Sequence, residues 1–100
     1  MTKAEKEHNK KLVSVGCIVC LKLGHGYSQP EIHHLRNGVG MGQRNGYQKA
    51  IPLCHTHHRT GGYGISFHAG KQAFETNFGT ELELLEATQE CMVVDEVFRV

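Results

Sequence analysis

The chain has 100 residues, of which 39% are hydrophobic and 21% are charged, and its formal net charge is +1. A chain of this length forms one small domain that buries roughly 60% to 65% of the surface exposed in its unfolded state. We therefore expect residues 1–100 to need a stabilising cross-link, such as a metal site or disulfides, besides their apolar core. The small net charge excludes a protein that binds polyanions through overall basicity.

Charge is distributed unevenly along the chain. Residues 1–11 carry four lysines against two glutamates, residues 12–80 carry six basic against two acidic side chains, and residues 81–100 carry six acidic side chains against one arginine. The three segments thus have net charges of +2, +4 and −5, which sum to +1. This distribution favours a polyanion on the basic body and a partner or solvent on the acidic C-terminal element. Charges of this size can also serve solubility alone.

The first residues of the chain are polar and charged. Alternating lysines and glutamates predict a basic helix or arm over residues 1–13, ending near Gly16. No apolar signal-peptide segment follows Met1, and no transmembrane run occurs further on, so we expect a cytoplasmic protein without a membrane partner.

Two pairs of metal-ligand residues, Cys17 with Cys20 and Cys54 with His57, each enclose two other residues. Because this spacing lets both members of a pair reach one ion, the sequence predicts a closed tetrahedral Cys3His zinc site. His55 is the alternative to His57 as the fourth ligand. A reducing compartment favours zinc over disulfides, which leaves Cys91 as a reduced, buried residue.

A β-hairpin is predicted between the two cysteine pairs. Its strands are residues 31–35 and 48–53, joined by a loop that is rich in glycine between residues 37 and 42. His33 and His34 lie on the first strand. On a regular strand they would point to opposite faces, so one shared site requires a strand end or a bulge.

Two helices are predicted in the last third of the chain. The first spans residues 71–78 and stops at Gly79, and the second spans residues 80–94, opened by a capping box of Thr80 and Glu83. We expect Phe74 and Phe78 to be core residues. Two neighbouring stripes of the last helix can pack inward: Leu82, Leu85, Gln89 and Met92, and beside them Leu84, Thr88 and Cys91.

Four histidines remain once a Cys3His site is complete: His33, His34, His58 and His68. Imidazoles gathered beside a zinc knuckle suggest a second metal centre with open coordination positions. His58 has an alternative role as a donor to the zinc site, and His68 as a packing residue.

These motifs resemble the ββα-metal, or HNH, endonuclease fold. The resemblance lies in the histidine pair on the first strand, the Pro52-Leu53-Cys54-x-x-His57-His58 run after the second, and His68 ahead of a helix. Three further motifs are similar to the phage recombination enhancement function (Ref) family of RecA-dependent nucleases: the glycine and first cysteine pair at 16–20, Gly24-His25-Gly26-Tyr27, and Phe67-His68. The similarity covers about residues 16–92 and lacks a clear central asparagine, since Asn37 and Asn45 are loosely placed.

The resemblance implies an α+β fold, namely a small zinc-stabilised ββα-metal domain with a β-hairpin and flanking helices. It also implies a metal-dependent DNA endonuclease that hydrolyses phosphodiester bonds, depends on RecA and acts in phage or prophage recombination inside a bacterial host cell. The expected partners are DNA and a RecA filament, with the acidic face of residues 81–96 as a candidate docking surface.

The resemblance also implies roles for the histidines. His34 would be the general base, with His33 the next candidate, and His33, His58 and His68 would hold the catalytic ion. A neutral imidazole, with a pKa of about 6.5, is a suitable base at physiological pH. Mg²⁺ is usual for phosphoryl chemistry, whereas three imidazoles hold Zn²⁺ or another transition metal more tightly. The candidate phosphate contacts are Arg36, Arg44, Lys49, Arg59 and Lys71.

A second class of function is compatible with the same residues. A zinc-stabilised nucleic-acid or protein binding module without catalysis would use the Cys3His site and leave the other histidines with structural roles. Such a module predicts one tightly held zinc, whereas a nuclease predicts two separable metal sites.

Overall fold

The computed structural model describes residues 2–35 and 49–98, with side chains to Val93. These residues form a small α+β structure: a two-stranded antiparallel sheet surrounded by helices, as predicted. No helix in these two ranges is long and apolar enough to cross a bilayer. The elements are α1 (Lys3–Val15), α2 (Ile18–Lys22), β1 (Glu31–His34), β2 (Ala50–Leu53), a π-helical turn (Thr56–Thr60), α3 (Lys71–Phe78) and α4 (Glu81–Phe98).

Helix α1 continues to Val15, two residues beyond the predicted segment, and ends at Gly16. The Thr2 hydroxyl accepts a hydrogen bond from the backbone N–H of Glu5 at 3.1 Å and caps the first turn. Gly16 ends the helix with a φ of +82°, and its N–H donates to the Leu12 carbonyl. A β-carbon at Gly16 would lie 2.7 Å from the ring of Tyr27, so this turn requires glycine.

The hairpin pairs β1 with β2 residue by residue, from Glu31 opposite Leu53 to His34 opposite Ala50. The second strand is shorter than predicted: it begins at Ala50, and Lys49 precedes it in a bend. The pairing contains no bulge in these four positions. Instead, His34 is the last residue of β1, so the histidine pair lies at a strand end, the other arrangement expected from the sequence. The Gly-rich loop, Arg36 and Arg44 lie outside the described residues.

The apolar core lies between β2, α2, α3 and α4. Its fully buried side chains include Ile18, Ile51, Leu53, Phe74 and Leu84, each at most 1% exposed. Phe78 packs against this core, as predicted. Cys91 is half-buried at its edge. The four residues of β2 are all buried, so the strand that carries Cys54 at its end is anchored on both sides.

Helix α4 extends to Phe98, four residues beyond the predicted end. Its inward stripe is formed by Leu84, Leu85 and Thr88, whereas Leu82 is 50% exposed and Gln89 is also exposed. The prediction that Leu82 and Gln89 face inward is therefore wrong. The inward position in the first turn is taken by Glu81, whose carboxylate bonds to His33.

The predicted capping box opens α4. The Thr80 hydroxyl accepts from the Glu83 N–H at 3.1 Å, and the Glu83 carboxylate accepts from the Thr80 N–H at 2.9 Å. Two N–H groups that lack partners within the helix are thus satisfied, and the first turn, with Glu81, is held in place.

Replacing Thr80 by alanine removes one of these capping bonds. We expect Thr80→Ala to lower the free energy of unfolding by about 1 kcal/mol, measured by chemical denaturation. Thr76→Ala is the matched control, because Thr76 is exposed within α3, where the same change should alter stability by no more than about 0.5 kcal/mol. An equal effect of the two substitutions would contradict the capping role.

Candidate metal centres

Cys17, Cys20, Cys54 and His57 come together in one buried group, with each residue at most 7% exposed. Cys17 caps α2 and Cys20 lies within that helix, whereas Cys54 directly follows β2. The π-helical turn carries His57, whose ring packs edge-on against Phe78. The group therefore joins α2 to the end of the hairpin across more than thirty intervening residues.

The spacing of the four donor atoms matches a tetrahedral ion. All four lie within 4.8 Å of one another, with 3.9 Å between the sulfurs of Cys20 and Cys54. The Nδ1 atom of His57 is 3.6, 3.6 and 3.2 Å from the sulfurs of Cys17, Cys20 and Cys54. Around a zinc ion with bonds of ~2.3 Å to sulfur and ~2.0 Å to nitrogen, the corresponding edges are roughly 3.8 and 3.5 Å. The residues therefore fit a structural metal such as zinc.

The electrostatics of this group also favour a cation. Burial raises the pKa of the Cys17 thiol to about 12. Burial also opposes ionisation of Cys54, but hydrogen bonds from the backbone of His57 and Thr56 and from the neighbouring thiols outweigh it and lower the pKa of Cys54. Burial, and then the nearby His25, lowers the pKa of His57 and keeps it a neutral ligand. A divalent ion would stabilise the thiolates that such a site needs.

His55 lies outside this group. Its side chain is exposed, and its Nδ1 atom is 3.0 Å from the hydroxyl of Thr60. Between the two candidate fourth ligands, the geometry therefore favours His57.

His33, His58 and His68 form a second group next to the first. The Nε2 atom of His58 lies 3.3 Å from Nδ1 of His33 and 3.0 Å from Nε2 of His68. Nitrogens bonded to one ion at about 2.1 Å are roughly 3.0 Å apart in an octahedral arrangement and roughly 3.4 Å apart in a tetrahedral one. The three imidazoles therefore also fit one divalent ion.

The π-helical turn explains how adjacent histidines serve different groups. His57 is buried among the cysteines, whereas His58 is only partly buried and turns toward His33. The segment after the turn folds back onto it, because the N–H groups of Phe67 and His68 donate to the carbonyls of His57 and His58 at 2.9 and 3.1 Å. This pairing places His68 beside His58. The extra residue of a π-helical turn is a frequent device at functional sites.

Two carboxylates hold the histidines of the second group. The Nε2 atom of the buried His33 is 2.9 Å from Oε2 of Glu81, and Nδ1 of His58 is 2.9 Å from Oε1 of Glu31. Sequence reasoning missed both carboxylates. Glu31 carries a usable signal, because a residue two positions before His33 on a strand shares its face. Glu81 carries no such signal, because it lies 48 residues from His33 in the sequence.

Arg59, a predicted phosphate contact, bonds to Glu31. Its Nε atom donates to both carboxylate oxygens, at 2.9 and 3.1 Å, and Nη2 donates to Oε2 at 2.7 Å. These bonds, followed by the one to His58, lower the pKa of Glu31 to about 2. Glu31 is therefore a carboxylate at physiological pH and fixes the ring of His58.

The other predicted site residues that the structure describes lie at the end of β1, just before β2 and at the start of α3. His34 is half-buried at the end of β1, next in sequence to His33 but outside the group of three. Lys49 is exposed at the same end of the hairpin, where its carbonyl accepts a hydrogen bond from the N–H of Leu35. Lys71 is half-exposed, with its ammonium 3.9 Å from Oε1 of Glu81.

Removing one cysteine of the first group should unfold the domain. We expect Cys17→Ser or Cys54→Ser to abolish the cooperative thermal transition, because a structural zinc in a chain this small contributes about 10 kcal/mol or more of apparent binding energy. Cys91→Ser is the control, since Cys91 is half-buried outside the group. A Cys17 variant that melts like the parent and holds no zinc would show that the Cys3His assignment is wrong.

Comparison with known proteins identifies a family for this chain. Among curated proteins none matches the chain. The family model described as recombination enhancement, RecA-dependent nuclease, however, matches residues 1–93, and this stretch includes every member of both metal-ligand groups. The chain therefore belongs to the family of recombination enhancement, RecA-dependent nucleases.

Proposed function

We propose that the protein is an HNH-type, metal-dependent DNA endonuclease acting on DNA engaged by a RecA filament during phage or prophage recombination. The observation that carries the proposal is the group of His33, His58 and His68, whose nitrogens converge at 3.0 and 3.3 Å. A binding module stabilised by zinc alone has no use for this second group. Family membership supports the nuclease activity and the link to RecA.

In this proposal the three histidines hold one divalent ion from the protein side and leave its other side to DNA. When bound, a divalent ion neutralises charge on the phosphoryl oxygens and stabilises the leaving 3′ oxygen. Mg²⁺ is a candidate because it is the usual ion of phosphoryl chemistry, whereas the described ligands, imidazoles rather than carboxylates, favour a transition metal.

The charges around the second group support a role in binding phosphate. Glu31 and Glu81 are balanced by Arg59 and Lys71, which lie within 2.7 and 3.9 Å of them. The four side chains sum to zero, so the charge of a bound divalent ion remains available to a phosphodiester. Lys71 then offers a half-exposed ammonium group beside the site, Lys49 is exposed at the end of the hairpin, and Arg59 stabilises the site through Glu31.

His34 is proposed as the general base. Its neutral imidazole would take a proton from the attacking water as the new oxygen–phosphorus bond forms and the bond to the 3′ oxygen breaks. Its position at the end of β1 supports this role, because it adjoins the ligand His33 and lies near Lys49, a candidate phosphate contact.

Loss of the base should separate catalysis from binding. We expect His34→Ala to slow plasmid nicking by roughly 10²-fold to 10⁴-fold while DNA affinity stays nearly unchanged. His55→Ala is the matched control, because His55 is an exposed histidine near the zinc group that belongs to neither set of ligands. Equal nicking by His34→Ala and the parent would show that His34 is not the base.

Dependence on RecA is the second test of the proposal. We expect slow cleavage of naked plasmid and fast cleavage of RecA-bound DNA at about 0.15 M salt, where surface charges are strongly screened. The reason is the modest number of basic residues, since each phosphate neutralised contributes only about 0.9 to the log-log salt dependence of duplex binding.

The measurement compares both substrates with Mg²⁺, Mn²⁺ and Zn²⁺ in parallel, and His34→Ala serves as the background for contaminating nucleases. Fast cutting of naked DNA that RecA does not alter would leave an HNH nuclease and refute the recombination role. A protein that binds one zinc and cuts neither substrate would support the binding module.

A further inference from the structure

We propose that Glu81 is a positioning residue of the second metal centre, holding His33 so that its Nδ1 atom faces the ion. The proposal rests on the metal centre of the proposed function. Its basis is a hydrogen bond of 2.9 Å between two buried side chains, His33 being 2% and Glu81 1% exposed. A buried carboxylate that contacts a ligand histidine on its far nitrogen commonly sets the orientation and basicity of that ligand.

The hydrogen bonds determine which ring nitrogens are available. A neutral imidazole has one N–H donor and one acceptor nitrogen, whereas a carboxylate only accepts. Since Nε2 of His33 faces Oε2 of Glu81, it carries the proton and leaves the lone pair on Nδ1. By the same reasoning, the contact of His58 Nδ1 with Glu31 leaves the lone pair on Nε2.

These two lone pairs then face each other at 3.3 Å. Two acceptor nitrogens repel at this distance unless a cation or a proton lies between them. The two carboxylates therefore prepare opposite ring nitrogens, Nδ1 in His33 and Nε2 in His58, for the same positive charge. The site is assembled for a cation before one arrives.

Glu81 is itself held firmly. It is the first residue of α4, inside the turn that the capping box of Thr80 and Glu83 closes. Its N–H points to a carboxylate oxygen of Glu75 at 3.4 Å, and the ammonium of Lys71 lies 3.9 Å from its Oε1. The positive end of a helix dipole also stabilises a carboxylate in this first turn. Helix α4 thus positions a ligand on β1, far away in sequence.

Glu31 differs from Glu81 in its surroundings. It lies on β1 close to the surface, one-third exposed, and shares its charge with Arg59. Glu81 is buried, and the ammonium of the half-exposed Lys71 lies 3.9 Å from its carboxylate. Removal of the Glu81 charge should therefore act directly on the metal ligand that it contacts. Removal of a charge on the exposed part of α4 should have a smaller effect on metal binding.

The test uses the full chain loaded with one equivalent of zinc, and Co²⁺ as the probe of the second site by calorimetry. We expect Glu81→Gln, which keeps the size but removes the charge, to weaken Co²⁺ binding by about 10-fold. Glu81→Ala should weaken it by about 10-fold to 100-fold. Glu83→Gln, a change of the same type in the same turn that preserves a capping box, should leave the affinity unchanged.

A second readout does not involve metal binding at the site. In the zinc-loaded parent without Co²⁺, nitrogen-15 NMR of the imidazoles should show the proton of His33 on Nε2.

A merely structural Glu81 would lower the melting temperature of its variants without altering the Co²⁺ affinity of the folded protein. Glu81→Gln remains informative if Glu81→Ala does not fold.

The outcomes separate this inference from the proposed function. Equal Co²⁺ affinity of Glu81→Gln and the parent, or a His33 ring whose Nε2 atom carries no proton, would overturn the role of Glu81. A parent that binds no second ion would overturn both the metal centre and this role. A parent that binds Co²⁺ with the expected dependence on Glu81 but cuts no DNA would refute only the nuclease proposal.

Discussion

The Cys3His group is the constraint on which the rest of the structure depends. Its four residues come from two short segments, one at the start of α2 and the other just after β2. A hairpin of two four-residue strands is marginal by itself, and the apolar core of a chain this small is limited. Joining the end of β2 to α2 ties the hairpin to the helical part of the molecule.

The same constraint positions the second group of histidines. His57 belongs to the cysteine group and His58, the next residue, to the other, so the orientation of one fixes that of its neighbour. The backbone bonds from Phe67 and His68 to this π-helical turn then bring the third histidine into place. The two candidate metal centres are therefore not independent. Loss of order in the Cys3His group would also separate the three histidines of the second group.

Electrostatic balance distinguishes the two centres. The first is a closed group of thiols and one imidazole, where burial opposes ionisation of Cys17 until a cation is present. The second is built from imidazoles, and its negative charges lie on Glu31 and Glu81, which bond to two of these rings. Because Arg59 and Lys71 offset these charges, an ion bound in the proposed way would keep its attraction for phosphate. Closed coordination suits structure, and an open, positively charged face suits chemistry.

The sequence by itself determined the local features of this protein. The spacing of Cys17, Cys20, Cys54 and His57 indicated one tetrahedral site because two intervening residues suffice for a pair of ligands to converge. The bounds of α3 and the capping box of α4 followed from residues within one helical turn, as did the end of α1 at Gly16. Such signals come from residues close together in the sequence, so they can be interpreted without knowledge of the fold.

Tertiary structure decided what depends on distant segments. It brought Glu81 of α4 against His33 of β1, turned Leu82 out to solvent, and paired Arg59 with Glu31. It also chose His57 over His55, because the π-helical turn points only the former toward the cysteines. These contacts link residues 28 to 48 positions apart or depend on the exact pitch of one turn. Neither a motif nor a periodicity carries that information, because both describe only neighbours along the chain.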